Sequence, residues 1–446
     1  MQRDNQNRRG SSKNRLPISR SRYHLIPMIN DLFTKRSFSG HKIDQTLKEN
    51  HLSPNDRALF TELFYGFLRF GHRLLFFVNK FLGQPEKVPD KVKWILAVAF
   101  YQKLYLSKIP DHAIVNEAVE MTKHFIGDGP MSGLVNAVLK KFLDHYHRFE
   151  NLEDSPLWVQ TSYPEWMCDY LCEMWTPIKF FKMAEALNTK SPTYIRANIR
   201  KIPEEKLILK LKEDNITCIQ TSVPNCLLLP ELSVSPKEVP GYHEGLWTIQ
   251  NMASQRIVRY LEAKEGDDIL DACAGYGGKT LQLAEILRDK ASIWYFDTID
   301  KKMHAVDIRS QKMGFRHVKP VVEFEQKYNR VLIDAPCSGL GTISSHPEIK
   351  WFRTPEDLKE QQSRQADVMK TYSQYLLPGG TLLYAVCSID KNEGEVIIKN
   401  FLAEHDDFEL DDTLTTPFLD MEYGTYLLPT SKGESGYFIS RLKRIK

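Results

Sequence analysis

The sequence predicts a chain of three parts: an all-α bundle, a small α+β connector and a doubly wound α/β domain at the C-terminal end. Three observations indicate this order. Apolar residues recur at helical spacing over 23–149, residues 150–245 are mixed and punctuated by proline, and strand-like and helical segments alternate over 246–446. Such alternation is typical of a parallel sheet covered by helices on both faces. A chain of 446 residues is long enough for two or three domains.

The composition excludes several classes of protein. With 42% apolar and 26% charged residues, the chain has the composition of a soluble globular protein. Its seven cysteines have no repeating spacing, so we expect reduced thiols and a cytoplasmic protein rather than a disulfide framework. The longest apolar run, which begins at Ile95, is far shorter than the roughly 20 residues of a membrane span. No membrane association is expected, and the N-terminus lacks the apolar segment of a signal peptide.

The first residues differ from the rest of the chain. Residues 1–22 carry seven Lys or Arg side chains against one acid, Asp4, which predicts a disordered basic arm. The arm is either a solvated tail or a segment that contacts nucleic acid, and both interpretations stay open. Five cationic side chains of the bundle are further candidates for phosphate contacts: Arg57, Arg69, Arg73, Lys140 and Lys141.

Local signals support the bundle and argue against a metal site in the connector. Ser53 and Pro54 form the typical start of a helix, and the apolar residues that follow them share one helical face. Cys168 and Cys172 are also spaced to share a helical face. Because zinc needs four ligands and no histidine lies beside these thiols, their spacing favours core packing, and no metal is expected.

A glycine-rich turn follows the first strand of the α/β domain. The strand ends at Asp271, and Gly275, Gly277 and Gly278 allow a ligand to approach the backbone at the start of a helix. A phosphate-binding P-loop would require glycine where Cys273 stands, and the dinucleotide fingerprint fails at Thr280. The pattern therefore favours a nucleoside-bearing ligand without a pyrophosphate, and S-adenosylmethionine is the natural candidate.

An acid ends the second strand of this domain. Asp297 follows Asp271 by 26 residues (297 − 271), which is the place from which a carboxylate accepts hydrogen bonds from both ribose hydroxyls. The acid and the turn together indicate cofactor binding more specifically than the glycines alone.

Two cysteines follow the ends of two later strands. Cys337 comes after the strand that ends at Asp334, and Cys387 ends the next strand. Ligands of open α/β sheets bind at the carboxyl ends of the strands, and neighbouring strands lie about 4.8 Å apart. The two thiols are therefore expected to face one cleft. The alternative is that both are small buried apolar residues, which is the commoner fate of a cysteine.

Three motifs, DACAGYGGKT, DAPCSGLG and YAVCSI, resemble in order and spacing those of the RNA cytosine-5 methyltransferases. Upstream, RALFTELFYGFLR, YQKLYLSKIPDHAIVNEAVE and GLVNAVLKKF are similar to the NusB-type helical RNA-binding domain. The combination resembles the bacterial small-subunit ribosomal RNA cytosine-5 methyltransferases of the Sun/Fmu type, over residues 24 to 442.

The resemblance implies a Rossmann-like S-adenosylmethionine-dependent methyltransferase domain preceded by an all-α NusB-like bundle and a small α+β connector. It implies that Cys387 adds to C6 of a cytosine in 16S ribosomal RNA, so that C5 can take the methyl group. Cys337 would assist product release, Asp334 would hold the edge of the base and Lys279 would orient Asp334 or stabilise charge. The implied cofactor-binding residues are Cys273, Ala274, Gly275, Tyr276, Gly277, Gly278, Lys279, Asp297 and Asp334.

The sequence departs from the family pattern mainly on the cofactor side. Tyr276 replaces a proline or alanine, Gly394 replaces an asparagine, and Glu323 is the sole candidate for an acid near the adenine. The competing interpretation is a non-catalytic RNA-binding or ribosome-assembly protein on a decayed methyltransferase scaffold. The expected partner is small-subunit ribosomal RNA, and the protein is expected to be a monomer.

Overall fold

The fold is seen in a computed structural model that describes residues 18–36, 40–50, 52–230, 232 and 234–446. Contacts within the chain divide it into two compact units, Met1–Pro164 and Glu165–Lys446. None of the described helices combines the length and the apolarity that crossing a bilayer requires.

The first unit is all-α, as the sequence predicts. Ser53 caps the longest helix by accepting a hydrogen bond from the backbone N–H of Asp56 at 3.2 Å, and Pro54 is its first residue. The apolar face of this helix is buried. Over residues 23–149 the sequence predicts about five helices, and six described α-helices, α2 to α7, lie wholly within that range. The described part of the unit has eight: α1 (Arg20–Tyr23), α2 (Leu25–Lys35), α3 (Gly40–Glu49), α4 (Pro54–Phe81), α5 (Asp90–Tyr105), α6 (Asp111–Ile126), α7 (Pro130–His145) and α8 (Leu157–Thr161).

The predicted basic arm, 1–22, lies outside the described residues as far as residue 17. Its last five residues belong instead to the folded bundle. Ile18 and Arg22 are buried, and the Arg22 guanidinium donates from Nε to Oε1 of Gln102 at 3.1 Å. The prediction of disorder is therefore wrong for residues 18–22. Arg22 was counted as part of a solvated arm, but its guanidinium is bound by Gln102 inside the bundle.

The second unit begins with the connector, whose α+β character is confirmed. Its strands are all antiparallel and lie in the order β2-β3-β1-β4. The last of these strands along the chain lies beyond residue 245, which is the predicted end of the connector. The elements are α9 (Glu165–Met174), α10 (Pro177–Asn188), β1 (Thr193–Ala197), α11 (Glu204–Glu213), β2 (Ile219–Gln220), β3 (Cys226–Leu229) and β4 (Trp247–Ile249).

The two cysteines of the connector are free thiols on α9. Cys168 is buried and Cys172 is half-buried. Burial is the main cause that raises the pKa of Cys168 to about 12. The described residues contain no group of three or more His, Cys, Asp or Glu side chains placed to hold a metal ion.

The rest of the unit is the Rossmann-like domain, which confirms the predicted fold class. Its sheet has the strand order β11-β12-β13-β9-β8-β5-β6-β7, and β10 pairs with β13. The pairs from β9 through β8, β5 and β6 to β7 are parallel, and the pairs that involve β10 to β13 are antiparallel. The strands are β5 (Asp268–Asp271), β6 (Ser292–Tyr295), β7 (Val318–Pro320), β8 (Tyr328–Asp334), β9 (Leu376–Val386), β10 (Phe408–Leu410), β11 (Leu419–Met421), β12 (Gly424–Leu427) and β13 (Tyr437–Arg444).

Helices cover this sheet, and a buried ion pair joins one of them to the connector. The helices are α12 (Met252–Ile257), α13 (Gly278–Ile286), α14 (Asp300–Met313), α15 (Ile349–Phe352), α16 (Pro355–Ser373) and α17 (Glu395–Glu404). Arg196 of β1 donates from Nε to Oε2 of Glu285 in α13 at 3.2 Å, and both side chains are buried. Arg196 also donates to the carbonyl of Gly278 at 2.9 Å, so the connector holds the first turn of the helix that follows the glycine-rich turn.

Candidate active site

The glycine-rich turn joins the end of β5 to the start of α13. Gly275 and Gly277 have positive φ angles of 56° and 77°, which favour glycine. A Cβ atom on Gly277 would also lie 3.0 Å from the Val306 side chain. Thr280, in the first turn of the helix, donates to Oδ2 of Asp271 at 2.7 Å. The turn is therefore fixed at both ends, and its two glycines on either side of residue 276 add no side-chain bulk.

Asp297 lies where the sequence places it, after β6, and it also holds the turn. Its Oδ2 atom accepts the backbone N–H of Gly275 at 3.0 Å and the ammonium of Lys302 at 3.3 Å, and its Oδ1 accepts the N–H of Ile299 at 3.0 Å. A carboxylate offers about four acceptor positions. Three of them are occupied. Asp297 therefore holds the turn in place and has about one acceptor position left for a ligand.

The other predicted residues of the turn differ in exposure. The Tyr276 side chain is exposed at 57%, although Arg309 donates a hydrogen bond to its carbonyl oxygen. Ala274 is buried, and its N–H donates to the carbonyl of Phe296 at 2.9 Å. Burial, and then the charges of nearby carboxylates, raise the pKa of the Cys273 thiol above its ordinary value. The Cys273 thiol is therefore held in its protonated form.

Three aromatic rings lie together next to Asp297, and the candidate acid Glu323 does not belong to this group. Glu323 is exposed, whereas the neighbouring Phe324 ring lies 5.0 Å from that of Phe296 and 4.8 Å from that of Tyr375. Phe296 directly precedes Asp297. Sequence reasoning missed this group because rings from three separate segments share no local pattern.

The two thiols that the sequence assigns to one cleft do meet. The strands β8 and β9 are parallel neighbours with Asp334 opposite Ala385, and the N–H of Ala335 donates to the carbonyl of Ala385 at 2.9 Å. The chain beyond each strand end then brings the sulfur atoms of Cys337 and Cys387 to 3.2 Å from each other. Both cysteines are half-buried free thiols. The expectation of a shared cleft is confirmed in its geometry.

A buried lysine pairs with the acid at the end of β8. Lys279 Nζ donates to Oδ2 of Asp334 at 2.6 Å and lies 5.3 Å from the centre of the Tyr437 ring. Burial, the largest single cause, disfavours its charge, but Asp334 and the other neighbouring groups together raise the net pKa of the ammonium. Lys279 therefore carries a positive charge that is paired with Asp334.

The Cys337 thiol is held protonated. Its hydrogen bond with Cys387 and then its burial raise its pKa well above the ordinary value for a thiol, and the charge of Glu393 acts in the same direction.

Two glycines in the motifs are explained by close packing. A Cβ atom on Gly341 would lie 2.1 Å from the carbonyl oxygen of Gly436, and the N–H of Gly341 donates to the carbonyl of Cys387 at 3.0 Å. A Cβ atom on Gly394 would lie 2.6 Å from the Tyr426 hydroxyl. The departure from asparagine at Gly394 therefore accompanies a tyrosine that leaves no space for a side chain.

Comparison with known proteins agrees with this architecture. The family model of the 16S rRNA methyltransferase RsmB/F matches residues 258–443, the NusB family model matches 19–144, and the ferredoxin-like domain of RsmF/B-like methyltransferases matches 163–234. The ribosomal RNA small subunit methyltransferase B of Klebsiella pneumoniae strain 342 is 30% identical over 444 residues, covering 91% of this chain and 97% of that protein. The chain belongs to the ribosomal RNA small subunit methyltransferase B family.

Further relatives extend the match. The methyltransferase B of Pasteurella multocida is 31% identical and covers 89% of this chain and 90% of that protein. The crystal structure of PH0851 superposes with a TM-score of 0.75 at 22% identity over 95% of this chain and 98% of its own. The structure of NSun6 from Pyrococcus horikoshii with SFG has a TM-score of 0.58 at 20% identity, covering 64% of this chain and 99% of its own. At these identities the two structures support the fold alone. The methyltransferase B family depends on S-adenosyl-L-methionine, which is the cofactor of this chain.

Proposed function

We propose that this methyltransferase transfers a methyl group from S-adenosylmethionine to C5 of a cytosine in small-subunit ribosomal RNA, through a covalent bond between Cys387 and C6 of the base. The observation that carries the proposal is the pair of sulfur atoms 3.2 Å apart at the ends of neighbouring parallel strands. C5 of cytosine is too weak a nucleophile to take a methyl group unaided. A sulfur atom that adds to C6 removes this limitation.

The first steps form one carbon–sulfur bond and transfer the methyl group. The Cys387 thiolate adds to C6, and the electron pair of the C5–C6 double bond moves onto C5 and the ring. S-adenosylmethionine, held by the turn 273–279 and Asp297, would supply the methyl group that C5 takes up and would leave as S-adenosylhomocysteine. The reaction starts from the thiolate of Cys387, because only the thiolate is nucleophilic.

The last step removes a proton and releases the enzyme. In the free pair, the bond to Cys387 is the main cause of the raised pKa of Cys337. The proton of Cys337 must therefore leave to solvent before this residue can act as a base. The Cys337 thiolate then accepts the C5 proton, the C5–C6 double bond re-forms, and the electrons of the C6–sulfur bond return to Cys387. Cys337 is thus the release residue.

The base and the cofactor are held by the groups around the thiols. Asp334 accepts a hydrogen bond from the N4 amino group on the edge of the cytosine, and Lys279 donates to its Oδ2 atom at 2.6 Å. Asp297 accepts from the ribose, and the turn 273–279 supports the rest of the cofactor. A base in a stacked helix must leave its stack to reach this cleft, and one in a single strand reaches it at lower cost.

Some exposed cations of the bundle are suited to phosphate contacts. Lys140 and Lys141 are exposed on α7, whereas Arg69 is buried and Arg73 donates to the carbonyl of Val159 at 3.0 Å. Arg69 and Arg73 are therefore not suited to phosphate contacts, because their side chains pack and form hydrogen bonds within the bundle.

The double variant Lys140→Ala/Lys141→Ala tests this assignment. Two lost phosphate contacts are expected to reduce the slope of log affinity against log salt by about 1.4 for single-stranded RNA. Binding titrations of small-subunit ribosomal RNA at several salt concentrations measure the slope. Glu86→Ala on the same unit is a control, and an unchanged slope would remove these lysines from the RNA interface.

The reaction itself is tested with purified protein, small-subunit ribosomal RNA and S-adenosylmethionine. We expect nuclease digestion and mass mapping to find 5-methylcytosine at one position, which is missing from the ribosomal RNA of a deletion strain. A methyl group on another atom or base would contradict the C5 reaction. Failure to bind S-adenosylmethionine, together with retained RNA binding, would favour a non-catalytic assembly protein.

A further inference from the structure

Each cysteine of the pair is followed by a serine, and the two serines meet at one carboxylate. Ser338 follows Cys337 and Ser388 follows Cys387. Both serine hydroxyls donate to Oε2 of Glu393 at 2.5 Å, and the backbone N–H of Ser338 donates to its Oε1 at 2.7 Å. Glu393 and both serines are fully buried.

The hydrogen bonds of this cluster are consistent in direction. Each hydroxyl accepts a backbone N–H from its own loop, from Leu340 to Ser338 at 3.3 Å and from Asp390 to Ser388 at 3.1 Å, and is thereby left to donate toward the carboxylate. An ionised carboxylate accepts and does not donate. Every hydrogen bond that reaches Glu393 from the two loops therefore suits its charged form.

A third segment joins the same carboxylate. Gln365 of α16 donates from Nε2 to Oε1 of Glu393 at 3.0 Å and to the carbonyl of Pro336 at 2.9 Å. Glu393 thus accepts four hydrogen bonds, three of them from the two residues that follow the thiols. Removing a buried acceptor of this kind leaves its donors unsatisfied, which costs more than the loss of an exposed hydrogen bond.

We propose that Glu393 is a positioning residue that fastens the loop of Cys337 to the loop of Cys387, so that both sulfur atoms reach the same base. The inference rests on the proposed function of the two thiols and deepens it. Glu393 touches neither sulfur through a hydrogen bond. It acts through Ser338 and Ser388, which are the next residues along the chain.

A reagent that bridges two thiols reports their spacing without RNA or cofactor. Phenylarsine oxide loses its oxygen as water and forms two arsenic–sulfur bonds, with no change of oxidation state, when two thiols lie close together. We expect one arsenic to bridge Cys337 and Cys387, as located by mass spectrometry of the digested protein. Cys172→Ser serves as the background variant, because it removes the other close pair, which Cys172 forms with Cys168.

Variants of Glu393 then test whether this residue holds the two cysteine loops together. Glu393→Ala should slow bridging by about tenfold or more and lower methyl transfer by about 100-fold, since a displacement of 1 Å has effects of this size. Glu393→Gln keeps the shape and should restore bridging to within about threefold, because serine hydroxyls accept as well as donate. Glu395→Gln, two residues further on and partly exposed, is the matched control and should change nothing.

A second pair of variants covers the case in which Glu393→Ala melts below the assay temperature. Ser338→Ala and Ser388→Ala each keep the carboxylate and remove one link, and both should slow bridging. Bridging at the unmutated rate in Glu393→Ala, or in both serine variants, would overturn the proposal. This assay needs no RNA, so it can be interpreted separately from the proposed reaction. If the proposed reaction were wrong, no RNA adduct would form, but bridging of the thiols would still depend on Glu393.

Discussion

Two parts of the same sheet differ in how closely their residues pack: the thiol end, where β8 and β9 end, and the cofactor end, where β5 and β6 end. At the thiol end, a fully buried carboxylate joins both cysteine loops, and Gly341 lies in backbone contact with Gly436. At the cofactor end, the turn carries the exposed Tyr276, and Glu323 projects to solvent. Two of the three departures from the family pattern, Tyr276 and Glu323, lie at the cofactor end, and Gly394 lies at the thiol end.

This difference has a physical reason. A sulfur atom that must form and break a bond with a carbon atom needs its position set within a fraction of an ångström, so the residues behind it are constrained by one another. A cofactor of many atoms distributes its affinity over many contacts, and one altered contact changes the total by a modest amount. The thiol end is therefore expected to tolerate fewer substitutions than the cofactor end.

The largest effect is expected at the thiol end, from Asp334→Ala. The change removes the acceptor for the base edge and leaves the buried Lys279 without its partner, and breaking a buried pair in this way costs about 3–5 kcal/mol. Methyl transfer should fall at least 100-fold or so, measured by incorporation of labelled methyl groups into RNA. The exposed Asp268, at the other end of the adjacent strand β5, is the control; equal losses for both aspartates would contradict the assignment.

A smaller effect is expected at the cofactor end, from Asp297→Ala. It removes charge-assisted hydrogen bonds worth about 1.5–3 kcal/mol, which corresponds to roughly 10- to 150-fold weaker binding of S-adenosylmethionine. Calorimetry with the exposed Asp300→Ala as control measures the change. Affinity that stays the same would dismiss Asp297 as a cofactor ligand and leave it a structural role, through the hydrogen bonds that it accepts from Gly275, Ile299 and Lys302.

The smallest effect should follow Gly341→Ala, which adds one methyl group at the thiol end. Its Cβ would overlap the Gly436 carbonyl, and overpacking of this kind typically costs 1–3 kcal/mol, or about 2 kcal/mol here. Thermal unfolding is the measurement, with Gly83→Ala as control, since nothing lies within 4 Å of a Cβ built there. Equal melting temperatures for both variants would show that the backbone behind the thiols accommodates the added methyl group at little cost in stability.

The sequence predicted the parts of the site that follow from the ends of strands. Cys337 and Cys387 could be assigned to one cleft because parallel neighbours end at the same edge of a sheet, and the structure brings them together. The helical bundle, the connector and the order of domains were likewise readable from periodicity. The helix start at Ser53 was predicted correctly because a capping serine and a proline act within one turn.

Other features depend on contacts between distant residues and could not be predicted. Nothing local indicates that Glu393 is buried, since it stands among polar residues in a loop and its partners include Ser338, 55 residues earlier. Arg22 and Arg73 looked like surface cations, yet their partners Gln102 and Val159 lie 80 and 86 residues away. Charge alone does not distinguish a cation that binds RNA from one that joins two helices.

The most direct test of the account is the covalent complex with RNA. With S-adenosylmethionine and small-subunit ribosomal RNA, Cys337→Ala should accumulate a protein–RNA species that survives denaturing electrophoresis, because the Cys387 adduct forms and the C5 proton is not removed. Cys387→Ala and the double variant should form none, and neither should turn over. An adduct in Cys387→Ala but not in Cys337→Ala would reverse the roles, and full turnover by both single variants would contradict covalent catalysis by these thiols.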